Sequence, residues 1–293
     1  MKRVLITGGT GALGQAVIEH LQSLQTYQIF ITRSKMESSI NDQISVYPCD
    51  FRNLDQLTTA FDLARPDLIL HLGAAFTEDL FQAHQINVAP AAHLLDLVYQ
   101  KKSSARVILI GSAAEYGIVK PEENPINEEH VLCPVSVYGL SKAWQTQLVG
   151  LYAGRGIDVL CLRIFNLFGP GISERLFAGR IQGQINKIKI KQKSSIEIGS
   201  LTAIRDYIST TEAARQLMMI ASYGVSGNIY HIGSGQPVSM HDFLLEQLKL
   251  HGLPSSLICA APEHSNRCGY DVPIIFADMQ KTRNLEKNLR SRA

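Results

Sequence analysis

Lys2-Arg3-Val4-Leu5-Ile6-Thr7-Gly8-Gly9-Thr10-Gly11-Ala12-Leu13-Gly14 is the stretch at the start of the chain that decides its fold. The apolar run at residues 4–7 predicts a buried strand, and residues 11–23, with apolar side chains three and four apart, predict a helix. A glycine-rich turn between a first strand and a first helix is the setting of a dinucleotide-binding fingerprint.

Each glycine of this turn has a physical task in the predicted fold. Gly8 permits the tight turn after the strand, Gly11 lets the backbone approach a pyrophosphate, and Gly14 lets the helix pack closely on the strand. The positive end of the helix faces the negative charge of the pyrophosphate. The predicted cofactor loop contains Gly8, Thr10, Gly11, Ala12, Leu13 and Gly14.

The chain as far as residue 165 alternates predicted strands and helices. Short apolar runs predict buried strands at residues 28–32, 45–47, 68–72, 107–110 and 159–164. Apolar residues at helical spacing predict helices at residues 54–64, 83–100 and 141–152. This alternation predicts an α/β fold of the Rossmann type, with a doubly wound parallel sheet.

The pattern changes after Asn166 and predicts a small, discontinuous α+β substrate domain. We expect a nucleotide-binding domain at residues 1–165, to which residues 205–233 return, and a substrate domain at residues 166–204 and 234–293. Alternating lysines within residues 185–193 indicate a solvated face or a protected edge strand rather than a nucleic-acid patch. These lysines are Lys187, Lys189, Lys191 and Lys193.

The composition favours a small-molecule partner. The chain has 293 residues with 28 basic and 26 acidic side chains, a net charge of +2, so it lacks the excess charge that attracts nucleic acid or a membrane surface. Its 5 cysteines are odd in number, widely spaced and form no C-x-x-C pair, which argues against a disulfide framework or a zinc site. No secretory or membrane-spanning apolar run is found, so we expect a cytoplasmic protein.

The end of the second predicted strand bears on the choice of cofactor. An acidic residue there would bind the adenosine ribose and select NAD, but the sequence is Thr32-Arg33-Ser34-Lys35. Arg33, together with Ser34 or Lys35, suits a ribose 2′-phosphate, because a guanidinium donates two hydrogen bonds to a phosphate. The sequence therefore favours NADP and leaves NAD possible.

Two further segments are candidates for binding the cofactor. Asp50 and Phe51 follow the third predicted strand, where the carboxylate can accept from the adenine amino group and the ring can line the base pocket. The end of the fourth strand is expected to pass beside the nicotinamide, and its residues are Leu72, Gly73 and Ala74.

Three residues predict a proton relay for a carbonyl or an alcohol. Tyr138 and Lys142 are four residues apart at the start of a predicted helix, so both lie on one face. A lysine ammonium stabilises a phenolate and lowers its pKa, so we expect Tyr138 to act as general acid or base and both residues to contact the cofactor. Ser112, at the end of the fifth predicted strand, can bind the same substrate oxygen.

With these motifs the chain resembles the extended short-chain dehydrogenase/reductases of the nucleotide-sugar epimerase/dehydratase family. Within that family it looks most like the GDP-4-keto-6-deoxy-mannose reductases. The likeness extends over nearly the whole sequence and rests on Arg163-Ile164-Phe165-Asn166, Gly169-Pro170-Gly171, Arg205-Asp206-Tyr207-Ile208 and Tyr230-His231-Ile232-Gly233.

The resemblance implies roles for six residues. Ser112, Tyr138 and Lys142 would be catalytic, and Ser112 would also bind the substrate. Asn166 would contact the diphosphate of a nucleotide sugar, whose phosphates Arg205 and Arg267 would bind. The family also implies a homodimer that pairs the helices at residues 83–100 and 141–152.

The residues after Ser112 bear on the reaction. Dehydratases of this family have acidic residues there, decarboxylases a glutamate and the epimerase-reductases that make GDP-fucose a cysteine, whereas this chain has Ala113 and Ala114. Glu115 would point away from the substrate if the segment is extended. The sequence therefore predicts NADPH-dependent reduction of a nucleotide-linked 4-keto-6-deoxy sugar at C4.

Two other functions stay open. An NAD-dependent nucleotide-sugar 4-epimerase needs the same three residues and would retain its cofactor. A non-catalytic NADP-binding regulator is the alternative of a different class, which the intact set of Ser112, Tyr138 and Lys142 disfavours.

Overall fold

The computed structural model describes residues 1–33, 44–260 and 272–291. Its first strands are β1 Lys2–Thr7, β2 Tyr27–Arg33, β3 Ile44–Pro48, β4 Leu68–His71, β5 Arg106–Ser112, β6 Val159–Ile164 and β7 Asn166–Phe168. The others are β8 Ile196–Ile198, β9 Ile204–Arg205, β10 Tyr207–Ser209, β11 Ile229–Ile232, β12 Val238–Ser239, β13 Ile258–Ala260 and β14 Ile274–Ile275.

The helices lie between these strands. They are α1 Ala12–Leu24, α2 Leu54–Ala64, α3 Leu80–Ala83, α4 Ala89–Gln100, α5 Val137–Ala153, α6 Phe177–Lys189, α7 Thr210–Tyr223, α8 Met240–Leu250 and α9 Gln280–Arg290. No helix in the described ranges is long and apolar enough to cross a membrane.

Seven parallel strands form the main sheet, in the order β11-β6-β5-β4-β1-β2-β3. Side chains alternate between its two faces, so Val4 and Ile6 join one apolar cluster and Leu5 joins the other. Helices α1 and α7 cover the first face, and α2, α4 and α5 cover the second. Burial on both faces explains the continuous apolar runs of the strands and confirms the predicted Rossmann-type fold.

The remaining strands form three small sheets outside the main one. β7 pairs with β10, β9 lies between β12 and β14, and β8 pairs with β13. A separate apolar cluster packs α6 and α8 against β8, with Ile181, Ile196 and Phe243 among its buried members. β11, by contrast, pairs with β6 at the edge of the main sheet.

Two predictions about local structure hold only in part. Of the two alternatives for the lysine-rich segment, the edge strand is wrong and the solvated face is confirmed: Lys187 and Lys189 are exposed in the last turn of α6, where basic side chains face the negative end of the helix dipole. Residues 83–100 are helical throughout, as predicted, but not regular, because a π-helical turn at His84–Val88 connects α3 with α4. Pro90 has no N–H to bond the carbonyl oxygen of Ile86, which favours such an irregular turn.

Candidate active site

The glycine turn after β1 is packed too tightly for side chains at two of its positions. Gly8 has a φ of +71°, and a Cβ there would lie 2.5 Å from the backbone nitrogen of Gly73. A Cβ on Gly14 would lie 2.5 Å from the carbonyl oxygen of Gly8. Strand β1, helix α1 and the loop after β4 therefore meet at backbone distance, which only glycine allows.

Gly11 differs from these two glycines. A Cβ there would meet only the carbonyl oxygen of Gly8, at an ordinary 3.5 Å. Packing within the described residues therefore does not require a glycine at this exposed position, whereas the close approach of a ligand would. The first turn of α1 has no acidic side chain, so the positive end of the helix is open to an anion. Thr10 and Gly11 are exposed, and Ala12 and Leu13 are half-buried.

Phe51 and Gly73 lie together at the end of β4, and Asp50 precedes Phe51 in the chain. The ring of Phe51 covers Gly73, where an added Cβ would lie 2.9 Å from the ring. Asp50 accepts a hydrogen bond from Nε of Arg52 at 2.8 Å, and this bond keeps the pKa of the carboxyl group below its usual value. Leu72 is half-buried and Ala74 is exposed.

The structure describes only one of the residues predicted to select NADP over NAD. Arg33 is half-buried at the end of β2, and its carbonyl oxygen accepts from the Cys49 amide at 2.8 Å. Ser34 and Lys35 lie outside the described residues.

Ser112 and Tyr138 come together through the start of α5. The hydroxyl of Ser136 accepts from the Gly139 amide at 3.0 Å, so the helix begins at Val137 and places Tyr138 in its first turn. Burial raises the pKa of Tyr138 to about 12, and a hydrogen bond with Ser112 offsets part of this increase. The phenol therefore stays protonated at neutral pH.

Lys142 lies one turn further along α5 and is buried. Its ammonium donates to Oε1 of Gln145, and burial lowers the pKa of Lys142 to about 8. The prediction that Lys142 lowers the pKa of Tyr138 is wrong in this structure, because burial dominates the pKa of the phenol.

We expect a Lys142→Met variant to lose stability relative to the parent as the pH rises from 8 to 10. The ordinary pKa of a lysine is 10.5, and that of Lys142 in the folded protein is about 8, so over this range the unfolded parent binds more protons than the folded parent. The parent's free energy of unfolding therefore increases with pH, and the variant lacks this contribution. Urea unfolding of both proteins at several pH values measures the difference.

The matched control for this prediction is Lys101→Met. Lys101 pairs with Asp62 on the surface, where little desolvation takes place. If the difference in unfolding free energy between parent and Lys142→Met did not change between pH 8 and 10, the assigned burial effect would be contradicted.

Asn87 and His71 are buried polar residues that the sequence reasoning missed. Asn87 exchanges hydrogen bonds with the backbone of Ala75 and donates to the hydroxyl of Ser141 at 2.9 Å, which joins the loop after β4 to α5. His71 pairs through Nδ1 with the hydroxyl of Thr7 at 2.7 Å. Burial, and then the charge of Lys142, lower the pKa of His71 to about 3, so it is neutral. In the sequence, each of these two residues could have been found as a polar residue within an apolar run.

Glu115 lies behind Ser112 rather than beside it. The segment Ala113–Glu115 is a 3-10 turn and not extended, and it directs Glu115 into the interior. One carboxylate oxygen accepts from the Ser112 amide at 2.7 Å and the other from Nε of Arg163 at 2.8 Å. Both charged side chains are buried, so Glu115 positions the backbone of Ser112.

The candidate substrate residues lie among the small sheets. Asn166 begins β7, and its side-chain amide donates to the carbonyl oxygen of Asp206 at 3.1 Å. Arg205 is half-buried in β9, and its guanidinium donates to the carbonyl oxygen of Ile204 at 2.9 Å. Arg267 lies outside the described residues.

The glycine turn, Gly73 and Ser112 lie at one edge of the main sheet. Gly8 follows β1, Gly73 follows β4 and Ser112 ends β5, and the carboxyl ends of parallel strands lie at the same edge. Ligands of open α/β sheets bind in a crevice at this edge. The structure thus brings the glycine turn, Ser112 and Tyr138 to the place where a dinucleotide and a second substrate can meet.

Comparison with known proteins agrees with this arrangement. Residues 4–233 match the family described as the NAD dependent epimerase/dehydratase family. A protein of Methanocaldococcus jannaschii, provisionally named UDP-glucose 4-epimerase, is 25% identical over 248 residues, which cover 82% of this chain and 79% of the relative. The GDP-6-deoxy-D-mannose reductase of Pseudomonas aeruginosa is 27% identical over 186 residues, which cover 61% of each chain.

Among solved structures, the dTDP-glucose 4,6-dehydratase of Bacillus anthracis in complex with NAD has a similar fold. The TM-score is 0.84 and the identity 18%, and the match covers 98% of this chain and 91% of that one. At this identity the likeness supports the fold alone.

Proposed function

Because the chain belongs to the NAD dependent epimerase/dehydratase family, we propose that it reduces a nucleotide-activated 4-keto-6-deoxy sugar at C4 with NADPH. A GDP-linked sugar is favoured. The observation that carries the proposal is the position of Glu115, which is held by Arg163 in the interior. Dehydration and decarboxylation need an additional acid or base beside the sugar, and Ala113 and Ala114 cannot supply it.

The residues around the glycine turn fit a dinucleotide. Gly11 leaves room for the pyrophosphate, and the start of α1 complements its charge. Asp50 and Phe51 are proposed to bind the adenine, and Leu72, Gly73 and Ala74 to border the nicotinamide. Arg33 and Ser34 are proposed to bind the 2′-phosphate of NADP.

A bound nicotinamide dinucleotide supplies the hydride for C4. In the proposed mechanism, Tyr138 donates its phenolic proton to the carbonyl oxygen at C4, and Ser112 donates a hydrogen bond to that oxygen. Because burial raises the pKa of Tyr138 to about 12, the phenol carries the proton that the carbonyl oxygen needs at neutral pH. Lys142 is proposed to hold the nicotinamide ribose, and Glu115 holds the backbone of Ser112 in place.

The substrate is proposed to lie against the small sheets. Asn166, Arg205 and Arg267 are proposed to bind its diphosphate, with residues 166–204 and 234–293 as the substrate domain. Arginine suits this role because its planar fork donates two hydrogen bonds to a phosphate.

A homodimer is also proposed, through the helices at residues 83–100 and 141–152. On α5, Trp144, Leu148 and Leu151 are four and three residues apart. Trp144 and Leu151 are exposed and Leu148 is partly exposed, so they form an apolar stripe. A second copy of the chain would cover this stripe. Sedimentation should then report twice the 32.4 kDa of one chain, and a monomer would contradict the proposal.

The function is tested by the loss of near-ultraviolet absorbance of NADPH, with NADH in parallel. The substrates are GDP-4-keto-6-deoxy-mannose and its dTDP, UDP and CDP counterparts. We expect consumption with one nucleotide, GDP first, and faster turnover with NADPH than with NADH. NAD retained through purification, without consumption of either reduced cofactor, would instead support a 4-epimerase, which the Methanocaldococcus relative makes the second candidate.

A further inference from the structure

The ring of Phe76 lies on the ring of Tyr138. The two centroids are 4.0 Å apart and the planes differ by 30°. Phe76 is also 41% exposed, so its ring is only partly covered by the protein. An apolar face therefore stands open beside the proposed proton donor.

The backbone of Phe76 is held from two sides. Its carbonyl oxygen accepts from Nη1 of Arg175 at 2.9 Å, and Arg175 lies between β7 and α6. The preceding residue, Ala75, is bound on both its amide and its carbonyl by Asn87. Phe76 thus lies where the loop after β4 meets the segment that leads to α6, which are the two sides of the proposed crevice.

The two sides of the sugar differ in polarity, and only an apolar side suits contact with the Phe76 ring. When the oxygen on C4 is at the Tyr138 hydroxyl, the carbons next to C4 come near Phe76. C3 carries a hydroxyl group, whereas C5 of a 6-deoxy sugar carries a hydrogen and a methyl group. An aromatic face gains by covering a methyl group, but a hydroxyl group there would lose water without a new hydrogen bond.

We propose that Phe76 is a specificity-determining residue, whose ring contacts the C5–C6 edge of the sugar and selects a methyl over a hydroxymethyl group at C5. The proposal rests on the proposed function, since it takes Tyr138 as the residue that meets the oxygen on C4. It assigns to the chain's own Phe76 the choice between 6-deoxy sugars and ordinary hexoses.

The test measures binding instead of turnover. The protein saturated with NADPH is titrated in a calorimeter with GDP-mannose and GDP-6-deoxy-mannose, and with dTDP-glucose and dTDP-6-deoxy-glucose. All four carry an alcohol at C4, so NADPH cannot reduce them. We expect the parent to bind the 6-deoxy member of a pair about tenfold more tightly, the lower end of what one such group is worth in a fitted pocket.

Phe76→Ser should bring this ratio close to one, and Phe81→Ser should leave it unchanged. Phe81 is the matched control, because it is also a phenylalanine, lies five residues further along the chain in α3 and is 69% exposed. Thermal unfolding and NADPH binding of both variants verify that they fold. A parent that does not distinguish the pair, or a Phe76→Ser variant that keeps the ratio, would overturn the role of Phe76 alone. Failure to bind any of the four would overturn the proposed function as well.

Discussion

Tyr138→Phe is expected to lower kcat by about 10²–10⁴-fold, the usual contribution of one positioned proton donor. The variant keeps the ring that packs on Phe76 and loses only the phenolic oxygen. The proton needed by the carbonyl oxygen must then come from water. Steady-state rates of NADPH consumption, together with NADPH binding by fluorescence, measure the effect.

Tyr152→Phe provides the control, because it removes the same oxygen from the same helix. The Tyr152 hydroxyl donates to Asp96 at 2.6 Å, so this variant should lose some stability but keep its kcat. If Tyr138→Phe retained activity within about tenfold of the parent, water or another residue would be the donor, since a positioned acid is worth more than that.

Glu115→Gln is expected to reduce the free energy of unfolding by about 3–5 kcal/mol, since it leaves a buried charge without its partner. The guanidinium of Arg163 is buried and donates to Glu115 at 2.8 Å, to the carbonyl oxygen of Glu128 at 2.8 Å and to the hydroxyl of Tyr116 at 2.9 Å. The glutamine retains the shape of the side chain but removes the only one of these partners that carries a full negative charge. Urea unfolding at neutral pH measures the loss.

Glu212→Gln breaks a comparable pair at the surface. Glu212 and Arg215 are 2.7 Å apart, but each is 41% exposed, so the expected loss is only about 0–1 kcal/mol. The double variant Glu115→Leu with Arg163→Met should recover much of the stability, because it buries no charge. If Glu115→Gln and Glu212→Gln reduced the free energy of unfolding equally, the predicted cost of leaving the buried charge of Arg163 without its partner would be contradicted.

Several features could be predicted because they depend on neighbours in the chain. Strand β6 and helix α2 begin and end at the predicted residues 159–164 and 54–64. The start of the chain predicted the glycine turn, and the structure shows why Gly8 and Gly14 must be glycine, since a Cβ at either would lie 2.5 Å from backbone. These are local relations of periodicity, turn geometry and small residues, which sequence spacing carries directly.

Other features depend on residues that are far apart in the chain. Nothing in the spacing of Glu115 and Arg163 indicated that they pair, and the prediction for Glu115 relied on an extended segment that is in fact a 3-10 turn. The pKa of Tyr138 was also predicted in the wrong direction, because the sequence places a lysine four residues away but does not reveal how deeply the phenol is buried.

The sequence by itself therefore determined the fold class and the glycine turn, and it made Ser112, Tyr138 and Lys142 the candidate set, because periodicity and short spacings indicate them. Only the tertiary structure decided the environment of that set: the bond from Lys142 to Gln145, the ring of Phe76 on Tyr138 and the Glu115–Arg163 pair behind Ser112. Burial and charge pairing at a site depend on which distant segments pack together, and this is a property of the folded chain rather than of any stretch of its sequence.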